Sequence, residues 1–453
     1  MGKYHFIAIG GIGMSGLAKY LLENGHTVTG SDIQDSKYIT SLRKLGAGVN
    51  IGHREENLPD DVEAVIVSTA IRESNPELIK AKRLGIKIYH RSDLLKEIAE
   101  SAQKSEMKFI GFAGTHGKTT TSTMTAHLLH QSNVGCNAFL GGISKNYETN
   151  LLLSEKSEYI VIEADEFDRS FHWLTPFATV ITATDADHLD IYGTKEAYLE
   201  SFNHYTSLIR QGGALIIRKG IELTPRLQEG VSLYTYSREE GDFHAENIRI
   251  GNGEIIFDYI SPFGNIKDIQ LGVPVAINIE NGIAAMALAQ ISGANDEEIK
   301  TAMASFKGVD RRFDFKIKND KVVFLSDYAH HPEEIKQSIL SMRALYADKK
   351  ITGIFQPHLY TRTRDFYKEF AESLSLLDEV ILTEIYPARE LPIEGVSSRL
   401  IYDQLRPGIE KTLCQKEEIL DILKQKRIEV LMTLGAGDIE NYVQPICKIL
   451  NKQ

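Results

Sequence analysis

Residues 108 to 121 read Lys-Phe-Ile-Gly-Phe-Ala-Gly-Thr-His-Gly-Lys-Thr-Thr-Thr, an apolar run that passes directly into a glycine-spaced turn. Gly111, Gly114 and Gly117 let successive backbone N–H groups turn toward one anion. Lys118 can reach terminal phosphates, and the Thr119 hydroxyl can sit on a magnesium ion. Such a loop needs a strand before it and a helix after it. The spacing therefore predicts a strand up to the turn and a helix from Thr120 to Gln131, in an α/β domain with a mainly parallel sheet. A bare Gly-Lys-Thr triplet carries little by itself, and a glycine-rich connection without a ligand is the plain alternative; the strand and helix around it carry the reading. Phe112 stands where an ordinary phosphate loop has its first glycine, so the spacing is unusual.

A chain of 453 residues has room for about three domains, each with its own core. We expect an α/β protein of three domains: a Rossmann-like N-terminal domain over 1–105, a central phosphate-loop ATPase domain over 106–308, and a Rossmann-like C-terminal domain over 309–453. The first begins with a strand at Phe6 to Ile9, a turn carrying Gly11, Gly13 and Gly16, and a helix ending near Gly25. Asp32 follows Gly11 by 21 residues, where an acid would meet a ribose hydroxyl, although a helix-capping role suits it as well. A glycine turn of this kind holds any pyrophosphate, that of a UDP-sugar included. Strands at Ala64 to Ser68 and Lys87 to Tyr89, and helices after Asn75-Pro76 and from Asp93, continue the alternation up to a polar linker at Gln103 to Glu106.

In the central domain the apolar strand Tyr159 to Ile162 delivers Glu163, Asp165, Glu166 and Asp168 at its C-terminal end, where ligands of α/β sheets sit. Glu163 is thereby a magnesium-ligand candidate, against the alternative of a solvated acidic loop. The strand Ala178 to Ala183 ends at Asp187, His188 and Asp190. A helix is expected from Lys195 to Arg210 and a strand from Ala214 to Ile217. A small antiparallel patch is expected over 231 to 271, turning at Asn252-Gly253. Helices from Asn278 to Ile291 and from Asp296 to Phe306 close the domain. Beyond a hinge at Gly308 to Arg312, strands at Phe313 to Ile317 and Val322 to Leu325 precede Asp327-Tyr328-Ala-His330-His331-Pro332. There Pro332 opens a helix, and His331 suits a capping or ion-pair role as readily as a functional one, as does Arg389. Gln356 to Arg364 and Glu384 to Glu390 gather charged groups at strand ends, which suggests a charged small-molecule ligand.

The balance of 51 basic and 62 acidic residues, a net charge of −11, offers no footprint for a nucleic-acid backbone. Cys136, Cys414 and Cys447 lack metal-ligand spacing and suit a reducing, cytoplasmic setting. No run reaches 18 apolar residues, so no membrane insertion is expected.

Together these segments resemble the Mur ligase family of ATP-dependent, amide-bond-forming peptidoglycan enzymes, and within it the branch that adds L-alanine to UDP-N-acetylmuramate. The carriers are Gly10 to Ala18, Gly114 to Thr121, Glu163 to Asp168, Asp187 to Tyr192, Arg311 to Phe313, Asp327 to Pro332 and His358 to Arg364, in order along the whole chain. The resemblance implies that Gly11, Ile12, Gly13, Met14, Asp32 and Ser68 hold the UDP-sugar. It places Gly114, Thr115, His116, Gly117, Lys118, Thr119 and Thr120 around the ATP phosphates. Thr119 and Glu163 would bind one Mg2+ and His188 a second, with Asn278 and Asn281 reading adenine. Arg312 would reach the γ phosphate and Asp327 the ribose, while Tyr328, His330, Arg362 and, more weakly, His358 surround the alanine and muramoyl group. The lactyl carboxylate would attack ATP to give an acyl phosphate and ADP, and the alanine amine would then displace phosphate. Lys118, His188, Arg312 and His330 are the catalytic candidates, with His188, His330 or a water as the base.

Two departures bear on the branch. Leu359 stands where relatives of this type often have arginine. No lysine occurs from Glu196 to Ile209, where sister ligases carry a carbamylated one, and that absence favours the alanine-adding branch. The expected ligands are UDP-N-acetylmuramate, L-alanine and ATP, with the protein a monomer or homodimer and its third domain closing over the second. The competing readings are a recycling ligase that adds a tripeptide to the same nucleotide sugar, and a nicotinamide-dependent oxidoreductase resting on the first glycine turn and Asp32.

Overall fold

The computed structural model describes residues 2–452 except Thr69, Asp168, 186–188, Asn252, Gly253 and Arg389, together with the side chains of Gln103, Ser170, Leu189 and Asp190. The N-terminal sheet contains β1 (Lys3–Ile7), β2 (Thr27–Asp32), β3 (Gly48–Ile51), β4 (Ala64–Val67) and β5 (Lys87–His90). Its order is β3-β2-β1-β4-β5, and every pair is parallel. Helices α1 (Ile12–Glu23), α2 (Lys37–Lys44), α3 (Pro76–Leu84) and α4 (Arg91–Lys104) cover it. The order reverses between β1 and β4, so the crevice for a ligand opens beside the glycine turn and Asp32, as a doubly wound sheet requires. Asn75 caps α3 by accepting from Glu77 N and Leu78 N, and Pro76 fills its first turn, as the Asn-Pro pair suggests. Helix α4 continues to Lys104, so the polar linker expected from Gln103 is shorter than the sequence implies.

The central sheet contains β6 (Lys108–Ala113), β7 (Asn137–Ser144), β8 (Thr149–Leu152), β9 (Tyr159–Glu163), β10 (Ala178–Ile181), β11 (Ala214–Arg218) and β12 (Ser232–Tyr236). Their order is β12-β11-β10-β6-β9-β7-β8. Only β8 pairs antiparallel, with β7. Its helices include α5 (Lys118–His130), α6 (Leu189–Tyr192) and α7 (Lys195–Thr206). Strand β12 corrects an expectation: it runs parallel to β11 on the sheet edge and does not belong to an antiparallel patch. The patch is confined to β13 (His244–Gly251), β14 (Glu254–Ile260) and β15 (Ile266–Gln270), and the expected turn at 252–253 lies outside the described residues. Helices α8 (Ile277–Ile291) and α9 (Asp296–Ser305) follow.

The last sheet, β16 (Asp314–Lys318), β17 (Val323–Asp327), β18 (Ile351–Phe355), β19 (Glu379–Leu382), β20 (Glu410–Leu413) and β21 (Val430–Leu434), has the order β16-β17-β21-β18-β19-β20. All its pairs are parallel except β16 with β17. Helices α10 (Pro332–Leu345), α11 (Tyr360–Leu374), α12 (Arg399–Gln404), α13 (Ile419–Lys424) and α14 (Val443–Leu450) flank it. His331 is the N-cap of α10. Two compact units emerge, one of Met1–Glu246, Tyr259–Ile266 and Asn281–Phe306, the other of Asn247–Asp258, Lys267–Glu280 and Lys307–Gln453. Strands such as β6, β9 and β17 are apolar on both faces because helices cover both sides of a parallel sheet.

A buried carboxylate ties the N-terminal sheet to its helices. Glu77, fully buried in the first turn of α3, accepts from His5 Nε2 at 2.8 Å, Ser31 Oγ at 2.7 Å, Arg54 N at 3.1 Å and Asn57 Nδ2 at 3.1 Å. Ser31 directs its one hydroxyl hydrogen at Glu77, so His53 Nδ1, 2.8 Å from Ser31 Oγ, must be the donor of that pair. Burial opposes ionisation of Glu77, but the donors, His5 first, outweigh it and hold its pKa below the usual carboxylate value. A depressed carboxylate pKa stabilises the fold above the ordinary carboxylate range, and that contribution is lost as pH falls through the folded value. Glu77→Ala strands these donors and is expected to cost about 3–5 kcal/mol. Its acid dependence of melting should also be shallower than wild type; an unshifted melting curve would contradict this account.

Candidate active site

Strand β6 lies between β9 and β10, so the loop that leaves it has a strand end on either side. The loop is braced against β10. Thr115 N donates to Ala183 O at 3.2 Å, the Thr115 hydroxyl donates to Asp185 O at 2.9 Å, and the Thr182 hydroxyl meets Ala113 O and His116 O. Gly114 adopts φ +130°, and a Cβ there would stand 2.8 Å from both Ala183 N and Ala183 O. Only glycine satisfies both the dihedral and the approach. Gly117, at φ +85°, is the N-cap of α5, which has neither a side-chain cap nor an acid in its first turn. The α5 N-terminus therefore faces the loop with its N–H groups free of a side-chain acceptor, next to the partly exposed Thr119 and Thr120.

Lys118 Nζ donates to Gly114 O at 2.6 Å and to Glu166 Oε1 and Oε2 at 2.6 and 2.9 Å. Burial alone would lower its pKa, but Glu166, Asp165 and Glu163 outweigh burial and hold it above the ordinary lysine value. Lys118 is thus a preserved ammonium at the loop. Glu166, 1% exposed, is pushed upward by burial against the pull of Lys118. The sequence located Glu166 at this strand end without giving it a role.

Glu163 closes β9 with Oε1 accepting from Gly141 N at 3.2 Å and from Ser122 Oγ at 3.4 Å. A Cβ on Gly141 would collide with that carboxylate. Gly141 was not legible as a site residue, because its contact comes from the neighbouring strand β7. Glu163 and Thr119 are oxygen donors of the kind that suit Mg2+, which keeps several waters of its own, and Ser122 Oγ bonds both the Glu163 carboxylate and Thr119 O. Asn281 arrives from α8: its Oδ1 accepts from Thr121 Oγ1 at 3.2 Å. Asn278 is buried, with Nδ2 donating to Val273 O at 3.2 Å. Asp168, Asp187 and His188 lie outside the described residues.

At the N-terminal turn, Asp32 Oδ2 accepts from Gly10 N at 2.8 Å and Oδ1 from Gln34 N at 3.3 Å, so this acid organises the turn itself. Met14 is 3% exposed and belongs to the N-terminal core; what it can offer a ligand is its backbone. Gly11 and Ile12 open α1, and Ser68 follows β4 at the sheet reversal. Gly16 is glycine for another reason than a ligand: a Cβ would stand 2.9 Å from Nδ2 of Asn150, which donates to Ile12 O at 2.6 Å.

In the second unit, Tyr328, His330, His358 and Arg362 converge at the ends of β17 and β18. His330 Nδ1 lies 3.0 Å from Tyr328 O, the His330 and His358 rings are 6.0 Å apart, and Arg362 Nη1 is 3.3 Å from His358 Nδ1. Burial lowers the His330 pKa. Tyr386, not foreseen, stacks on His358 with centroids 5.8 Å apart. The Arg311 and Arg312 guanidinium groups lie 4.7 and 5.0 Å from the Tyr328 ring centre. Arg311, inside the segment read as a hinge, and Phe313, just beyond it, both take positive φ, at 65° and 43°, so the backbone is strained there. Asp327, expected at a ribose, is buried, with Oδ1 accepting from Ala329 N and Oδ2 from the Ser338 hydroxyl. Leu359 is buried at φ +74°, and Arg389 lies outside the described residues.

A glycine-spaced loop with a charged lysine in one mainly parallel sheet, a doubly wound N-terminal sheet, and a third sheet with a basic aromatic cluster at its strand ends define a class of protein. The Mur ligase family, catalytic domain, matches residues 3–103; the Mur ligase middle domain matches 112–289; and the Mur ligase, glutamate ligase domain, matches 311–438. The chain belongs to the Mur ligase family. Among its relatives is the UDP-N-acetylmuramate–L-alanine ligase of Phocaeicola vulgatus, 68% identical over 454 residues that cover 99% of this chain and 98% of that one. The crystal structure of the UDP-N-acetylmuramate-alanine ligase MurC of Thermotoga maritima superposes with a TM-score of 0.86 at 28% identity, covering 100% of each chain. A murein peptide ligase from Psychrobacter arcticus gives 0.71 at 20% identity over 100% of this chain and 99% of that one, which shows the shared fold.

Gly114→Ala is expected to abolish binding of a fluorescent ATP analogue, since the new methyl meets backbone that cannot move aside. Retention of wild-type affinity would overturn the account of the loop.

Proposed function

We propose that this chain is an ATP-dependent ligase that joins L-alanine to the lactyl carboxylate of UDP-N-acetylmuramate, releasing ADP and phosphate, in peptidoglycan precursor synthesis. The observation that carries the reading is full-length identity of 68% to a relative bearing that name. The phosphate loop, whose charged Lys118 donates to Gly114 O at 2.6 Å, supports the ATP half of the reaction. The tripeptide-adding alternative rests on a 20% likeness, which speaks for the fold alone. The nicotinamide reading gains no support.

The lactyl carboxylate attacks the γ phosphorus, the bond to the β-phosphate oxygen breaks, and ADP leaves. The alanine amine then attacks the acyl carbon of the acyl phosphate; inorganic phosphate departs and the ammonium proton passes to a base. Two anions must approach each other in the first step. Lys118 and the N–H groups of the α5 N-terminus supply fixed positive charge there, which lowers the barrier most where water is excluded. Mg2+, held in this reading by Thr119 and Glu163, would neutralise further phosphate charge. We assign His188 to a second metal, Arg312 and Asp327 to the nucleotide, Asn278 and Asn281 to adenine, and Gly11, Ile12, Gly13, Met14, Asp32 and Ser68 to the UDP-sugar. Tyr328, His330, His358 and Arg362 are assigned to the amino acid and muramoyl group. An arginine fork suits a carboxylate, and a His330 kept neutral by burial can accept a proton. In this reading domains 1–105, 106–308 and 309–453 bind the UDP-sugar, ATP and the amino acid respectively. Among the described residues no helix is long and apolar enough to cross a membrane. We place the enzyme in the cytoplasm, as a monomer or homodimer.

Lys118→Ala should abolish both ADP and product formation, and near-normal turnover would refute the assignment. Phosphate release with L-alanine, glycine, L-serine and the tripeptide offered separately should be fastest with L-alanine; preference for the tripeptide would transfer the chain to the recycling reaction. Tyr386→Ala should raise KM for the amino acid about tenfold, the scale of one lost aromatic contact, while KM for ATP stays unchanged.

A further inference from the structure

A cavity of about 600 Å3 opens in the last sheet, where the ends of β19 and β20 meet the loop that runs from Glu384 to the start of α12. Ile385, Val396, Leu413 and Cys414 give it an apolar lining, while Glu384 and Glu418 bring carboxylates and Arg399 a guanidinium. Glu384 Oε2 accepts from Lys416 N at 3.0 Å, but Lys416 Nζ turns to Asp438 Oδ2 at 2.6 Å and stays 3.9 Å from Glu384 Oε1. Glu418 Oε2 accepts from Gln415 N at 2.7 Å. Arg399, with its side chain 60% exposed, has Asp403 Oδ1 at 3.9 Å as its one ion-pair partner among the described residues. Burial first, then Glu418 and Glu384, push the Cys414 thiol up to about 11, so both acids act on the apolar lining. Ser398 stands in the same wall, 3% exposed, and its Oγ has no hydrogen-bond partner among the described residues. A hydroxyl shut off from water and left unpaired destabilises a fold, so a partner from outside the chain is the group that would satisfy it. The wall is also tied down beforehand: Thr361 N donates to Glu390 Oε2 at 3.0 Å, and Tyr386 of the same loop stacks on His358.

We infer that this cavity is a second small-molecule site, separate from the reaction centre, and that it takes a short zwitterionic peptide with apolar side chains. None of the residues assigned to the reaction lines it. The Arg399 fork suits the peptide carboxylate, and Glu384 and Glu418 suit its ammonium. A peptide group between the two ends supplies the donor or acceptor that the Ser398 hydroxyl lacks, which a free amino acid cannot do. The volume lies in the range of sites that enclose a molecule larger than a single amino acid. The apolar lining then covers the side chains.

The test is calorimetric titration of the full-length protein with the dipeptide L-leucyl-L-leucine, with L-alanine present in excess so that an amino-acid site is filled. Saturable binding is expected, and it should weaken about tenfold when the dipeptide is N-acetylated or C-amidated, the scale of one lost charge-assisted hydrogen bond. Arg399→Gln should weaken the free dipeptide to the same degree and leave the affinity of the C-amidated form unchanged. Ser398→Ala should also weaken binding, yet its melting temperature should equal or exceed that of wild type, because it removes an unpaired buried hydroxyl; a Ser398 needed only for packing would lower it. Without the dipeptide, both variants should turn over at the wild-type rate. No binding in the presence of L-alanine, or binding indifferent to both end groups, would overturn the inference. So would an affinity that Arg399→Gln does not change. Binding seen only when L-alanine is left out would place the dipeptide in the amino-acid site and overturn it equally. None of these outcomes depends on ATP turnover, so the proposed reaction stands or falls separately.

Discussion

The ion pair between Lys118 and Glu166 is the constraint around which the loop after β6 is arranged. A lysine ammonium shielded from water retains its proton only with a carboxylate against it, and here both Glu166 oxygens lie within 2.9 Å. That pairing depends on β6 lying beside β9, because Lys118 follows the first strand and Glu166 the second. It also depends on β10, whose end supplies the carbonyls and the Thr182 hydroxyl that fix the loop's course. Three parallel strands thus fix one amine. A buried pair of this kind adds little net stability, since desolvation offsets the attraction. Its consequence is that a positive charge is in place before any phosphate arrives.

The glycines show how one residue type serves different physical needs. Gly114 is required by its dihedral and by the backbone of Ala183. Gly16 and Gly141 leave the space that Asn150 and Glu163 fill, and Gly13 lies against Arg91, whose half-exposed end can swing aside. In the first turn, the spacing that reads as a pyrophosphate fingerprint is therefore also a packing code. One of its glycines receives an arginine and another an asparagine from the central sheet. Asp32, likewise, spends its carboxylate on Gly10 N and Gln34 N, which holds the turn in shape.

Much of the architecture was legible because parallel α/β folding leaves strong local marks. Apolar strands covered on both faces appear as continuous runs, and β6, β9, β10 and β17 were recognisable in this way. Caps were equally clear, as Asn75-Pro76 and His331-Pro332 show. Strand β12 was misread because its alternating composition resembles an antiparallel strand, while its partner β11 was decided by sheet closure. Strands β3, β7, β8 and β20 went unseen because they are short, edge-placed or half-polar, and a period of two is faint over four residues.

The sequence by itself determined the chemistry available: a phosphate loop ending in Lys118 and Thr119, acids at the next strand end, a glycine turn at the start, and histidines and arginines late in the chain. These are local signals, written in dihedral preference, hydrophobic period and residue type. Tertiary structure alone decided which groups meet. Glu166 takes Lys118, Gly141 takes Glu163, Tyr386 stacks on His358, and Arg91 lies on Gly13, each pair 22 to 78 residues apart. No local propensity encodes such a pairing, because it follows from strand order, and strand order is set by how several covered faces close together over one core.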